Sequence, residues 1–291
     1  MDIGSRGGGA GWQRPEAVPG QTFSDYADAL EQSAADAVYV SLVNSEHRPW
    51  VAKSLETGRH VIVDKPAFLW QYEAEQVLDL ASKRDCCLAE ATVWAYHPQV
   101  DLMKRTFDDA LSPPTRISAA FSVPPLDPEN FRYCRSLGGG SLWDQGPYAV
   151  SIGRVFFEAR PEIVDCHVLS TGGVDNVDTA FSALMTYPGG RAVTGYFGFD
   201  TAYRNHLEIL SPELVVEADR VFTIPPETKN EISVTDATGA RAITAPPSNP
   251  FRTFFERVFR AIDFHDWRSF ADDLLMDAHA MQRLRDAAGV V

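Results

Sequence analysis

Up to about residue 110 the chain alternates short apolar runs with stretches whose apolar residues recur every three or four positions. Residues 36–42 (Asp-Ala-Val-Tyr-Val-Ser-Leu), 60–63 (His-Val-Ile-Val) and 86–90 (Cys-Cys-Leu-Ala-Glu) read as short buried strands rich in β-formers. Helices are predicted between and after them, the first over 49–57, then 72–83 and 98–107. Pro49 near the start and Gly58 past the end frame the first. Ala74, Val77, Leu78 and Ala81 share one face of the second. Such alternation predicts a parallel sheet with right-handed crossovers. Beyond Pro113-Pro114 the pattern becomes β-rich: 115–123, 163–170, 178–187, 191–199, 206–218 and 230–236. Gly189-Gly190 reads as a hairpin turn, so a largely antiparallel open sheet follows. Pro250 then opens a helix with Phe251, Phe254, Phe255, Val258, Phe259 and Ile262 in one stripe. A last helix carries Leu274, Ala278, Met281 and Leu284. The fold class is therefore α/β plus α+β, with a parallel-sheet domain over 1–110 and a second domain over 111–291.

The most informative run is 60–66, where the strand His-Val-Ile-Val meets Asp64, Lys65 and Pro66. Proline disfavours the helical region for the residue before it, so Lys65 is expected to be extended. A lysine at the carboxyl end of a buried strand stands where open α/β sheets bind ligands. Taken alone, the seven residues also fit a strand ending in a solvated turn. Further on, Asp144 and Tyr148 are four apart, which sets them on one face if a helix runs through them. Pro147 fits a helix starting near Trp143 or Asp144, and would kink one that starts earlier.

The order of short motifs closely resembles the Gfo/Idh/MocA family, which includes glucose-fructose oxidoreductase and inositol dehydrogenase. The strand at 36–42 leads to Asn44-x-x-His47, a short helix, Gly58-x-His60 and Asp64-Lys65-Pro66. Glu90-Ala91, Tyr96-His97-Pro98, Asn130-Phe131-Arg132-Tyr133 and the run from Gly138 to Tyr148 then follow. The resemblance covers nearly the whole chain. It is nearest to the branch of glucose-fructose oxidoreductase, dihydrodiol dehydrogenases and deoxysugar 3-ketoreductases, which carry Tyr where inositol dehydrogenases carry His. It implies an NAD(P)-dependent oxidoreductase of sugar metabolism, moving a hydride between nicotinamide and a sugar-like carbonyl or alcohol.

By the same resemblance Lys65, Tyr148 and Asp144 are the catalytic candidates, and Asp64 replaces the motif's usual glutamate. Tyr148 would donate the proton, eased by a nearby Lys65 that favours the phenolate. Asp144 would orient substrate hydroxyls or the lysine, or merely cap a helix. Ser5, Arg6, Asn44, His47, Asp64, Lys65 and Glu90 are the candidate cofactor contacts. Arg132 and Tyr133 are candidates to line the substrate cleft, as are Arg204, Asn205 and His206 from the second domain. His47 reads either as a cofactor contact or as a cap, and His97 as a fixture of the domain junction.

Family members begin with a strand, a Gly-x-Gly-x-x-Gly turn and a helix that holds the pyrophosphate. Here Gly7-Gly8-Gly9-Ala10-Gly11 has no strand before it, and Trp12, Pro15 and Pro19 follow. Ile3-Gly4-Ser5-Arg6 aligns better with the end of the family's second strand, where a Ser-Arg pair suits the 2′-phosphate of NADP(H) rather than NAD(H). One βα unit of about 30 residues is then absent, so the Rossmann-type sheet reads as N-terminally truncated. Either Met1 is internal to a longer protein or the protein lacks the unit. In the latter case an open sheet edge would need covering, and the pyrophosphate cradle on which tight dinucleotide binding depends would be missing. Two alternatives to the redox enzyme therefore stand. One is a cofactor-independent lyase, epimerase or cyclase using Lys65 and Tyr148, and the other a non-catalytic partner of a complete homologue.

Charge and composition narrow the partners. A formal net charge of -14 over 291 residues argues against a nucleic-acid surface. No apolar run reaches membrane-spanning length and the first residues lack a signal-peptide core, so a cytoplasmic setting is expected. Cys86, Cys87, Cys134 and Cys166 have neither metal-site nor disulfide spacing, and the histidines suggest no metal. The expected partners are a small sugar-like substrate and further copies of the chain in a homo-oligomer, with no membrane.

Overall fold

The computed structural model describes Ile3–Gly4 and residues 20–290. Two strands, β1 (Ile3–Gly4) and β2 (Thr22–Phe23), pair in parallel. Helix α1 (Tyr26–Gln32) follows, its first turn capped by the Asp25 carboxylate, which accepts the Ala27 N–H at 2.7 Å. A three-stranded parallel sheet then runs in the order β3 (Ala37–Val40), β4 (His60–Val63), β5 (Leu88–Glu90). Its crossovers are α2 (Asn44–Glu56) and α3 (Gln71–Lys83), and α4 (Pro98–Asp109) leads out of it. The alternation of apolar runs and helical spacing is thus realised as a parallel sheet. One difference is that α2 starts five residues before Pro49. The proline lies in the second turn, where its missing N–H removes one rung of the helix.

The larger sheet has eight strands. In chain order they are β6 (Arg116–Ser122), β7 (Ile163–Gly172), β8 (Val177–Tyr187), β9 (Arg191–Gly198), β10 (Arg204–Leu210), β11 (Leu214–Asp219), β12 (Asn230–Asp236) and β13 (Gly239–Ala245). In space they run β13-β12-β11-β10-β6-β9-β8-β7, and only the β6–β9 pair is parallel. The segment expected as one strand over 206–218 is two, folded at Ser211-Pro212-Glu213. There the Ser211 hydroxyl accepts the Leu214 N–H at 3.1 Å. Strand β13 carries no apolar alternation in the sequence, because most of its residues face solvent at the sheet edge. Between β6 and β7 lie α5 (Ser141–Asp144) and α6 (Gly146–Phe157). Their helix breaks at Gln145, and Pro147 takes the second position of α6, where no helical donor is lost.

Helices α7 (Pro250–Asp263) and α8 (Arg268–Ala288) return to the first sheet rather than closing the second alone. Phe254, Val258 and Phe270 are buried against Ile62, Cys87 and Ala89. Helix α8 lies across α3, α6, β5 and β7. Of the predicted α7 stripe only Phe254 and Val258 are fully buried, while Phe251 and Phe259 remain exposed. The α8 positions Leu274, Met281 and Leu284 are buried as their spacing implied. Among the described residues no helix is long and apolar enough to cross a membrane, and no cluster of three His, Cys, Asp or Glu is placed to hold a metal.

The packing of α6 on β8 gives a direct test. A Cβ added at Gly153 would fall 2.1 Å from the hydroxyl of Tyr187, which is 1 % exposed. Alanine favours a helix interior by about 1 kcal/mol over glycine, but overpacking of this severity costs about 3 kcal/mol. Gly153→Ala is therefore expected to lower stability by about 2 kcal/mol, read as a lower urea midpoint.

Candidate active site

Strand β4 ends by delivering Asp64, Lys65 and Pro66 beyond the sheet. The Asp64 N–H donates to the Val40 carbonyl at 3.0 Å, and the Asp64 carboxylate accepts the hydroxyls of Tyr39 and of Ser41, the latter at 2.5 Å. The Lys65–Pro66 peptide is cis. From this turn the Lys65 ammonium crosses to the second half of the chain. It donates to the Asp144 carbonyl at 2.5 Å and lies 3.2 Å from the Asp144 carboxylate. Arg132 Nε reaches the same carboxylate oxygen at 2.9 Å. The Lys65 ammonium also stands over the Tyr148 ring, 4.8 Å from its centroid. The candidates Lys65, Asp144, Tyr148 and Arg132 are therefore one cluster.

Local geometry explains how the glycine run carries Asp144 there. Gly138 has φ +76°, and a Cβ on it would come within 2.7 Å of the Asn44 Cβ. Gly140 has φ +116° and backs onto Asp178, whose carboxylate accepts the Ser141 hydroxyl at 2.7 Å and the Leu142 N–H at 2.6 Å. Asp178, on β8, thus holds the start of α5. A lone Asp in a strand gives no local signal of that role. Trp143 then meets Trp70, just past the Lys65 turn, with ring centroids 5.6 Å apart. The Arg285 guanidinium of α8 packs 4.1 Å from the Trp143 ring and 5.0 Å from Trp70.

Charges in the cluster oppose burial with mixed results. Burial pushes the Lys65 ammonium towards neutrality, but Asp144, through its charge and hydrogen bond, and Tyr148 together outweigh it and the net direction is up. Burial raises the Asp144 carboxyl, yet Lys65 and Arg132 together bring it below the usual carboxylate range. For Tyr148 burial wins: Lys65 pulls the phenol down, but the net direction is up. Lys65 does favour the phenolate, as expected, but desolvation of an anion there exceeds the attraction of one shared ammonium.

The other candidates are placed as follows. Asn44 Nδ2 donates to the Gly138 carbonyl at 2.8 Å, bridging α2 to the glycine run. His47 is fully buried, its ring nitrogens 2.8 Å from the Pro66 carbonyl and 3.0 Å from the Leu42 carbonyl. Glu90 accepts the Ala67 N–H at 2.8 Å. Tyr133 accepts the Leu126 N–H through its hydroxyl and packs its ring on Phe199. Arg204 and His206 lie against Asp219 on the second sheet, and Asn205 accepts the N–H of Phe222, whose ring meets that of Tyr148 with centroids 5.5 Å apart. His97 caps α4 by accepting the Gln99 N–H. Ser5 and Arg6 lie outside the described residues.

The Asp144 cluster has a pH signature. Its folded pKa is depressed, so its contribution is complete above the unfolded carboxylate range and is lost as pH falls through the folded value. Asp144→Asn leaves Lys65 and Arg132 facing each other without an anion. With side chains only 19 % and 31 % exposed, the expected loss at pH 7 is about 2 kcal/mol. Denaturant midpoints should show that gap, and it should narrow as pH falls through and below the ordinary carboxylate range.

Two family models match the chain: residues 11–92 match the oxidoreductase family GFO_IDH_MocA, NAD-binding Rossmann fold, and residues 104–216 match the GFO/IDH/MocA C-terminal domain. Among curated relatives, a dTDP-3,4-didehydro-2,6-dideoxy-alpha-D-glucose 3-reductase of Actinomadura kijaniata is 28 % identical over 278 residues, covering 94 % of this chain and 82 % of the relative. The D-xylose 1-dehydrogenase (NADP(+)) 2 of Haloferax volcanii is 28 % identical, covering 83 % and 74 %. The crystal structure of KijD10, a 3-ketoreductase from Actinomadura kijaniata, in complex with NADP and TDP-benzene, superposes with a TM-score of 0.87. It is 27 % identical and covers 92 % of this chain and 83 % of KijD10. Matching models over both halves, with the Lys65–Asp144–Tyr148 cluster between them, assign this chain to the Gfo/Idh/MocA family of oxidoreductases with an NAD-binding Rossmann fold.

Proposed function

We propose that the protein transfers a hydride between NADP(H) and the carbonyl or alcohol carbon of a sugar-like substrate, with Lys65 and Tyr148 as its catalytic residues. The observation that carries the reading is the Lys65 ammonium, 4.8 Å from the Tyr148 ring and paired to Asp144 beyond the carboxyl end of a parallel strand. Relatives named for dideoxysugar 3-reduction and for NADP-dependent xylose oxidation support the substrate class and the choice of NADP.

The residues present fit the nicotinamide end of such a cofactor. Asp64 and Lys65 follow the carboxyl end of β4, and the charges of both act on Tyr148. We assign Asn44, His47 and Glu90 to shaping the cleft, since each holds a backbone group rather than pointing a free donor at a ligand. The nicotinamide, when bound, supplies or receives the hydride. Lys65 stabilises the negative charge that gathers on the substrate oxygen. Tyr148, whose phenol stays protonated well above neutral pH, donates its proton as that oxygen becomes an alkoxide. Arg132 and Asp144 keep the ammonium in place, and Arg132 borders the space a sugar would fill.

Tyr148→Phe is expected to lower kcat by about 10²- to 10⁴-fold, the range for loss of a general acid, while NADPH still binds. The assay follows NADPH oxidation with a panel of keto-sugars and aldoses, free and nucleotide-linked. Undiminished turnover in the variant would remove Tyr148 from the mechanism.

A further inference from the structure

The Pro66–Ala67 peptide follows Lys65 directly, and two side chains that the proposed reaction does not use grip it from opposite sides. Its carbonyl oxygen stands 2.8 Å from Nδ1 of His47 on α2. Its N–H donates to Oε1 of Glu90, at the end of β5, over 2.8 Å. Proline has no N–H, so the Ala67 amide is the first backbone donor after Lys65. Glu90 is also the register partner of Val63 in the β4–β5 pair, so the strand beside the one delivering Lys65 also delivers its holder. A peptide is a rigid plane. Held at both polar atoms, it cannot turn without breaking one buried and one partly buried hydrogen bond, and, with the φ of Pro66 fixed by its ring, its orientation restricts the backbone path at Lys65.

Neither holder is free for other work. His47 is fully buried, and burial lowers its pKa, so the neutral ring has one proton to give. The Pro66 carbonyl is the nearer of its two acceptors. Glu90 faces the inner space between the first sheet and α8, lined with Trp70, Asp277 and Arg285, and a second recess with Tyr96, Arg154 and Asp273. Burial first, and Asp277 next, push its carboxyl up to about 7, with Arg154 and Lys65 opposing. Either charge state keeps an oxygen able to accept from Ala67.

We infer that Glu90 and His47 are positioning residues for the reaction, clamping the Pro66–Ala67 peptide so that the Lys65 ammonium meets Asp144 beside Tyr148. The inference rests on the catalytic reading of Lys65 and Tyr148. Groups facing the ammonium are Asp144 from α5, Tyr148 from α6, Arg132 from residues 131–133, and His47 and Glu90 from the first sheet's side. Asp144 first, and Tyr148 next, hold its pKa up, so a turn loosened away from them should show in the alkaline limb of activity.

The test compares kcat, KM and the pH profile of the wild type with Glu90→Ala, Glu90→Gln and Tyr148→Phe, using NADPH and a keto-sugar that the wild type turns over. Glu90→Ala is expected to lower kcat by about 10²-fold, as for a misplacement of about 1 Å. Its alkaline limb should move down by about one pH unit as Lys65 loses Asp144. The KM for the ketone and NADPH binding should stay near wild type. Glu90→Gln retains an acceptor for the Ala67 amide and should restore both kcat and the limb. A ¹⁵N spectrum of the wild type should place the His47 proton on Nδ1. Wild-type kcat and limb in Glu90→Ala, equal losses in Glu90→Gln, or a His47 proton confined to Nε2 would each overturn the clamp. Should Glu90→Ala fail to fold, Glu90→Gln and the ring spectrum decide. Full turnover by Tyr148→Phe would instead remove the catalytic reading itself, whereas a crippled Tyr148→Phe beside an unaffected Glu90→Ala removes only the clamp.

Discussion

Lys65 carries a positive charge out of a turn on the first sheet and into a space roofed by the second half of the chain. Taking an ammonium out of water costs several kcal/mol unless a counter-charge is held in good geometry. Asp144 supplies that charge, and Arg132 keeps Asp144 ionised from the other side. The rest of the arrangement serves this contact. Asn44 ties α2 to the glycine run at Gly138, and Trp70, Trp143 and Arg285 lock the Lys65 turn to α5. Asp178 anchors the far end of α5. Two segments nearly 80 residues apart, as the separation of 79 between Lys65 and Asp144 shows, are thus held in register by direct bonds.

The same cluster sorts its protons by environment. Three ionisable groups share one partly buried site, yet they do not share one fate. Asp144 has two cations beside it and stays an anion. Lys65 has an anion within 3.2 Å and stays a cation. Tyr148 meets the cation only across its ring face, and burial keeps its phenol protonated. A neutral acid beside a fixed ammonium suits proton transfer to an oxygen that is gaining negative charge.

The end of the chain builds the back of this site. Helix α8 brings Asp273 and Asp277 to Arg154 of α6, with contacts of 2.7 to 2.9 Å, and sets Arg285 against the two tryptophans. Helix α7 lays Phe254 and Val258 over β4 and β5. Layer and chain order part company here, because the face of the first sheet is covered by residues that follow the second sheet.

Residues 60–66 were legible because local chemistry marks them, whereas the glycine run and the phenol at 148 stood out by resemblance to the family. A run of β-formers stopped by Asp-Lys-Pro is a strand end whatever surrounds it, and glycines at positive φ announce a tight backbone path. By itself, the sequence determined the strand–helix alternation and the change to an antiparallel sheet after residue 113, and its resemblance to the family singled out Lys65, Asp144 and Tyr148, which the fold brings together. Local patterns could not decide how burial and neighbouring charge would balance at Tyr148, or which backbone groups Asn44, His47 and Glu90 would meet. Nor could they reveal Asp178 or Arg285, whose partners lie dozens of residues away. Desolvation and long-range pairing exist only once the chain is folded, so tertiary structure alone decided them.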